Sequence, residues 1–466
     1  AEAYEGAPML HIEDIPWRPP SEAFRSFAGD ARLAWLDSAA LGDPRSRFSY
    51  LCLEPFSVLE AEGGVLRLDG VVQPGDPFAL LARQLARFPL APGDAPVPFL
   101  GGAVGYLGYE LRHWLERLPA RHPAVAGLPD MAIGLHDVIL AFDTWEERCW
   151  LLSSGFPDLG EGRERRARLR AAQIRARLDG GRVPLASLPR LGWAPDLTSG
   201  EYEARVARVL GYIRAGDIFQ ANVTMAHRAR RPPGLAPAAL YLALRERSPA
   251  PFSAFLACGE VAIASASPER FLKLDVGGGI ETRPIKGTRP RRADPAADRA
   301  EVTALVASEK DRAENLMIVD LMRNDLGRVA ETGSVRVPEL FTVESFAAVH
   351  HLVSAVEARL RPGLGPVDLL RATFPGGSVT GAPKIRAMEI IDEVEASRRG
   401  PYCGAIAWIG FDGAMDSSII IRTLVVTPEE VVAQAGGGIV ADSDPAAEYE
   451  EHCVKIRALL TVDEGP

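Results

Sequence analysis

Four carboxylates stand in two pairs, each pair three residues apart: Asp311 and Glu314 in "EKDRAENLM", Glu448 and Glu451 in "EYEEHCVK". On a helix this spacing puts both members of a pair on one face. The run after Glu314, "LMIVDLM", is apolar nearly all round, and a carboxylate buried there needs a partner. Two such helices could hold a hard divalent cation. Mg²⁺ comes first, because it takes few carboxylates and completes its shell with water and substrate. Ion pairing along a wet face, Glu451 with Lys455 for example, uses the same spacing, and both readings stand.

A second group is "TRPIKGTRPRR", Thr282 to Arg292, with one lysine and four arginines. Lys286 sits between an isoleucine and a glycine. A lysine is a nucleophile only without its proton, and burial or nearby positive charge favours that form. Arg283 and Arg289 flank it and keep their charge, so Lys286 is the residue that would yield a proton. A surface cation and a phosphate ligand remain the alternatives.

Glycine makes the third group. In "AGGGIVADSDP", the N–H groups of Gly436, Gly437 and Gly438 could form an anion nest. In "FPGGSVTGAPK", Gly376, Gly377, Ser378, Thr380 and Gly381 precede a helix whose first turn carries Lys384, a helix start suited to an anion. Neither stretch follows a phosphate-loop or dinucleotide pattern. A carboxylate is as good a guest as a phosphate, and tight turns are the plain alternative.

These groups need a frame. The chain has 466 residues, of which 47% are hydrophobic and 24% charged. That suits a soluble globular protein of two to three domains, or one large double-layered one. The net charge of −10 argues against binding nucleic-acid backbones. The apolar runs are too short to span a bilayer, and "SIIIRTLVV" is interrupted by Arg422. The N-terminal "AEAYEGAPMLHIEDIP" lacks the basic and apolar regions of a secretory signal. Cys52, Cys149, Cys258, Cys403 and Cys453 are scattered and odd in number, which favours a reducing cytoplasm over a disulfide framework or zinc site.

Residues 1–158 form an N-terminal region that from about 10 to 155 reads as short strands, among them "RFSYLCLEP", "GGVLRLDGVV" and "DVILAFDTWEERCWLLSS", with one amphipathic helix in "DPFALLARQLARF". Residues 159–197 read as a solvated Arg/Ala-rich helix with Leu169, Ile174 and Leu178 as its apolar spine, then a Pro-rich linker. From 198 to 462 strands and helices alternate. "TSGEYEARVARVLGYIRAGD" is a helix capped by Thr198 or Ser199, "DRAENLMIVDLMRNDLGRV" a buried helix, and "SSIIIRTLVV" a strand.

In chain order, "SPERF", "PIKGTRPR", "KDRAENLMIVDLMRNDLGRV", "VHHLVS", "FPGGSVTGAPKIRAMEIIDE", "YCGAIAWIGF", "IRTL" and "AGGGIVADSDPAAEYEEHCVK" form one specific set. Over nearly its whole length the chain resembles the chorismate-utilising enzymes. The resemblance implies an α/β fold: a large two-layer sandwich of antiparallel sheets with helices outside. It implies chorismate as substrate, a ring bearing two carboxylates, and so explains anion sites without phosphate. By motif position, Glu314 and Glu451 would hold Mg²⁺ beside a substrate carboxylate, with Glu448 and Asp311 close by. Gly436, Gly437, Gly438, Tyr402, Arg422, Lys455, Gly287 and Thr288 would grip the substrate, and His351 falls at the family's active-site histidine.

Within the family, Lys286 points to the branch that aminates the ring at C4. There this lysine is thought to attack C2, with Glu269 of "SPERF" as general acid for the departing C4 hydroxyl. The anthranilate-forming branch, which carries a small residue at this position, is the alternative; a non-catalytic chorismate- or tryptophan-binding protein is a third reading. Water-adding relatives carry a base lysine where this chain has Gln220, so ammonia is the expected nucleophile. No cysteine lies on a glutaminase-type elbow, so a separate glutamine amidotransferase subunit would supply it. "LDSAALGDPRSRFSY" and "SPAPFSAF" resemble the family's tryptophan-binding segments, with Ser38, Arg45, Ser46, Arg47, Phe48, Pro251, Phe252 and Ser253 lining a pocket; a packed inter-sheet core is the alternative.

Overall fold

Successive residues of the N-terminal strands feed two different cores. In Arg32–Asp37, Ala34 joins one hydrophobic cluster and Trp35 another; in Phe48–Leu53, Tyr50 and Cys52 go one way, Leu51 and Leu53 the other. This period of two marks a sheet covered on both faces. The computed structural model describes residues 10–91, 95–345 and 349–464. The first nine residues of the N-terminal stretch read for a signal lie outside them.

Two antiparallel sheets, each 12-stranded among the described residues, form a sandwich. The first runs from His11–Ile15 at one edge through Arg32–Asp37, Phe252–Cys258 and Thr423–Val426 to Glu430–Ile439 and Gln220–Arg230. The second runs from Ile285–Pro290 and Val349–Arg359 through Arg270–Leu274, Met415–Ile419 and Ala405–Gly410 to Gly102–Leu107 and Val71–Gln73. Both draw on both halves of the chain: Trp35 pairs with Phe255 and Leu107 with Ala405. One core fills the space between the sheets. A second lies outside the first sheet, under Pro20–Phe24, Gly160–Asp179, Pro237–Arg247 and Pro445–Leu460. A third packs Ser199–Ala215 and Lys384–Val394 on Gln220–Arg230.

Two local expectations change. The "SSIIIRTLVV" run is not one strand. Met415–Ile419 belongs to the second sheet and Thr423–Val426 to the first, and the chain crosses at Arg422, whose φ is 51°. The helix Gly160–Asp179 is less wet than its composition suggests. Leu169 is exposed, while Arg163 and Arg170 are buried, the one donating to Ser154 O at 2.6 Å, the other paired with Glu54 and Asp137. The helix from Thr198 carries the expected capping box with Glu201.

Candidate active site

Lys286 lies in Ile285–Pro290, hereafter the lysine strand, at an edge of the second sheet. Pairing with Val349–Arg359 slips by one residue between Ile285↔Val353 and Thr288↔His351. The extra residue makes a bulge, which re-aims a side chain at a sheet edge. Gly287 is its pivot, with φ at 83°. A Cβ there would stand 2.9 Å from both Asp311 Cγ and Leu305 Cδ1, so only glycine fits. Beyond the bulge, Thr288 Oγ1 and His351 Nδ1 lie 2.9 Å apart. Burial, then Arg422 and Arg45, pushes the His351 imidazole down to about 4, leaving it neutral near pH 7.

The flanking arginines do not press on Lys286 as the sequence suggested. Arg283 is held by Glu339 at 2.9 Å and Glu344 at 2.5 Å, and Arg289 by Asp311 at 3.0 Å. Asp311 is thus paired with Arg289, yet it stays close enough to Glu314 for its charge to raise that carboxyl. Lys286 faces carboxylates instead: its charge acts on Glu269, Glu314 and Glu451, and among the described residues it forms no close ion pair.

Glu269 sits before the strand Arg270–Leu274 and is 9% exposed. Burial raises its carboxyl pKa above the ordinary value, against the pull of a Ser378 hydrogen bond and of Lys286, Arg422 and Lys455. Arg422 opens into the cleft yet has protein on most sides; that crowding lowers its pKa, opposed by Glu269.

Glu314 rides on the helix Glu309–Gly327, and Glu448 and Glu451 on Pro445–Leu460. Burial, with smaller contributions from neighbouring carboxylates, raises Glu314 and Glu448. Burial would raise Glu451 too, but Lys455, 2.6 Å away, outweighs it and the pKa falls. Lys310, which sequence reasoning missed although it stands one turn before Glu314, lies 4.0 Å from Glu314 and 3.8 Å from Glu448. Ser443 also went unnoticed; its hydroxyl donates to Glu448 Oε1 at 2.7 Å. No three His, Cys, Asp or Glu side chains among the described residues converge on a ready metal position. The donor set of Glu314, Glu448 and Glu451 is nonetheless all carboxylate oxygen, with Lys310, Lys455 and Ser443 beside it, which suits a hard divalent cation.

The triple glycine is not a nest. Gly436, Gly437 and Gly438 lie inside the strand Glu430–Ile439, in register with Thr224, Val223 and Asn222. They serve by having no side chains. A Cβ on Gly437 would meet Glu448 Oε2 at 2.9 Å; one on Gly438 would meet Gln220 Nε2 at 2.4 Å and Lys286 Nζ at 3.5 Å. Lys455 Nζ donates to Gly436 O at 2.9 Å. The second glycine stretch is no anion site either. Lys384 turns inward to Asp325 and donates to Thr373 O at 2.8 Å and Pro375 O at 2.9 Å. What that turn brings to the cleft is Ser378, against Glu269.

Tyr402 stands one layer behind. It is 5% exposed, and its links run to Cys403, Arg399 and Glu395; Cys403 in turn feels the Glu269 charge. Arg399 and Glu395 form a buried pair at 2.6 Å whose remaining bonds reach Thr224, Val379 O and Asn222 O.

A separate cavity of about 550 Å³ opens between the sheets. Ser38, Arg45, Arg47, Phe48, Pro251, Phe252 and Ser253 line it, with Trp408 and Met415 from the second sheet. Ser46 is fully buried and is not among the lining residues. Arg270 and Asp416, paired at 3.0 Å, close one wall.

The profile of the chorismate binding enzymes matches residues 36–461. The chain belongs to this family. It is 45% identical over 456 residues to aminodeoxychorismate synthase component 1 of Klebsiella aerogenes, covering 96% of this chain and 97% of that one. It is also 42% identical over 449 residues to anthranilate synthase component 1 of Thermus thermophilus, covering 95% and 94%. The crystal structure of anthranilate synthase component I from Streptococcus pneumoniae superposes with a TM-score of 0.79 at 33% identity, over 89% of this chain and 92% of that one. This chorismate-binding enzyme is thus similar to both kinds of component 1, and its site residues must separate them. Among its described residues no helix is long and apolar enough to cross a membrane.

Proposed function

We propose that the chain is the chorismate-aminating component of an aminodeoxychorismate synthase, making 4-amino-4-deoxychorismate for 4-aminobenzoate and folate synthesis. The observation that carries this is the bulge that turns Lys286 into the space among Glu269, Glu314 and Glu451. A bystander lysine needs no such device.

Lys286, once its ammonium proton has passed to solvent, attacks C2 of the ring through Nζ as the C4 hydroxyl leaves with the proton of Glu269, releasing water and leaving the adduct nitrogen as a secondary ammonium. Ammonia then forms the C4–N bond; the C2–N bond breaks and its electron pair returns to Lys286. The surplus proton of the new ammonium restores the Glu269 acid. One hard displacement becomes two allylic ones. The raised pKa of Glu269 keeps its proton available for the first step. Arg422, Lys455 and Thr288 grip the substrate, and Gly436, Gly437 and Gly438 leave room for it. Neutral His351 orients Thr288. Glu314 and Glu451, with Glu448, would hold Mg²⁺, which when bound fixes and polarises a ring carboxylate.

A glutamine amidotransferase subunit supplies the ammonia. Burial pushes the thiols of Cys149, Cys258 and Cys403 up to about 12, which makes each a poor nucleophile. The inter-sheet cavity takes tryptophan: its wall offers Arg47 stacked at 5.4 Å from the Trp145 ring, beside Phe48 and Trp408. The protein works in the cytoplasm.

The test is product identity from chorismate, Mg²⁺ and ammonium at mildly alkaline pH, read by mass and fluorescence. Wild type is expected to form aminodeoxychorismate without pyruvate, and Lys286→Ala to lose that product or leak anthranilate. Anthranilate and pyruvate from wild type would assign the chain to the other branch. For the metal, Mg²⁺ is expected to raise the melting temperature of wild type but not of Glu314→Gln.

A further inference from the structure

One cation in the cleft is badly placed for the helix that carries it. Lys310 is the second residue of Glu309–Gly327, directly behind the cap at Ser308. A positive charge in a first turn opposes the helix dipole. Its partner one turn on, Glu314, stands C-terminal to it, the weaker order for such a pair. The gain lies across the cleft. Lys310 Nζ is 4.0 Å from Glu314 and 3.8 Å from Glu448, which belongs to the other carboxylate helix, Pro445–Leu460. Its charge acts on Glu451 as well.

The charges in this corner already balance. Glu314, Glu448 and Glu451 face Lys286, Lys310 and Lys455. The Glu314 and Glu448 side chains are only 14% and 5% exposed, so little water screens a charge added between them. A divalent cation on those oxygens would need an ammonium to withdraw. Lys455 is anchored, 2.6 Å from Glu451 and 2.9 Å from Gly436 O. Lys286 is aimed by its bulge. Lys310 is neither. Its contacts to both carboxylates are longer than a hydrogen bond, and its side chain is 48% exposed. A strongly hydrated ammonium on a flexible four-carbon stem can leave for solvent without moving the backbone.

We propose that Lys310 is the exchangeable counter-ion of the carboxylate site: its ammonium neutralises Glu314 and Glu448 and swings out when a divalent cation takes their oxygens. Lys310 thereby sets the metal affinity by competing for the same atoms. The inference rests on the metal reading above and adds to it a residue that holds the metal back.

The experiment is calorimetric titration of the full chain with MgCl₂, without chorismate and at low ionic strength, beside melting curves. Lys310→Met keeps the unbranched stem and removes the charge. Its Kd for Mg²⁺ should tighten roughly fivefold, the order expected when two part-exposed ion pairs no longer compete. Before Mg²⁺ is added its melting temperature should lie below that of wild type, and the rise on adding Mg²⁺ should be larger. Lys310→Arg keeps the charge and should bring Kd back to within about twofold of wild type. Lys310→Gln is titrated alongside in case the methionine variant does not fold, with the same tightening expected. An unchanged or weaker Kd in the neutral variants, while wild type binds and Glu314→Gln does not, overturns the proposal and leaves the metal site standing. No binding to wild type, or binding that Glu314→Gln leaves intact, sinks the metal reading and the proposal with it.

Discussion

At Glu269 burial and three cations pull in opposite directions, and burial prevails. The carboxyl has to be protonated to release the hydroxyl, so kcat should fall as pH rises through its pKa. Ser378 donates to the charged form, so Ser378→Ala should raise that pKa further and move the alkaline limb of the kcat profile upward; a downward move or none would exclude Glu269 as the acid. Glu269→Gln should lower kcat by about 10²–10⁴. His351 carries a second pH prediction. Its imidazole titrates at about 4 in the fold and at about 6.5 in the unfolded chain. The unfolded state takes the proton first, so the stability His351 contributes is complete above about pH 6.5 and lost as pH falls toward 4. An NMR titration should find the ring neutral at pH 5.5. The spacing of Glu314, Glu448 and Glu451 was legible in the sequence, as was the oddity of Lys286. What escaped it was which charges are already engaged. Arg289 takes Asp311 from 22 positions away, a pairing set by the bulge and by no local pattern.

The elements act as fixtures for those residues. Gly287→Ala should cost about 1–2 kcal/mol for its left-handed backbone alone, besides the clash with Asp311 and Leu305. Because the bulge aims Lys286, kcat should fall far more than the melting temperature; a proportionate loss would mean that the bulge is only structural. The Glu395–Arg399 pair ties the turn Gly376–Thr380 to Gln220–Arg230. Glu395→Ala leaves a buried guanidinium uncompensated and should destabilise by about 3–5 kcal/mol, measurable as a lower urea midpoint. Caps and periodicity made most helices legible, as at Thr198. The break in "SSIIIRTLVV" was not, because no glycine or proline marks it. The left-handed turn falls on Arg422, and only the gap between two sheets demands it. Lys384 misled for a related reason: a lysine at a helix start looks available to an anion until Asp325 comes against it from another helix.

Across the whole molecule, the inter-sheet cavity and the cleft share a neighbourhood. Arg45 lines the first and acts on His351 in the second. If tryptophan fills the cavity, saturating it at about 100 times Kd should stabilise the fold by about 2.7 kcal/mol, read as a rise in melting temperature that Ser38→Trp abolishes. The sandwich itself was expected from the resemblance to the family; its strand order was not, since pairing between distant segments leaves no periodic trace. That order governs how the chain is born. Ala405–Gly410 closes against Gly102–Leu107, about three hundred residues upstream, and Thr423–Val426 completes the first sheet only after the crossing at Arg422. A nascent chain therefore emerges with both sheets open and their middle edges unpaired, and must wait for its last fifth before either can zip shut. Such non-local closure is slow and exposes sticky strand edges meanwhile. The residues that close the sheets are also those that deliver Arg422, the glycine strand and the last carboxylate helix, so a half-made polypeptide can be neither folded nor active.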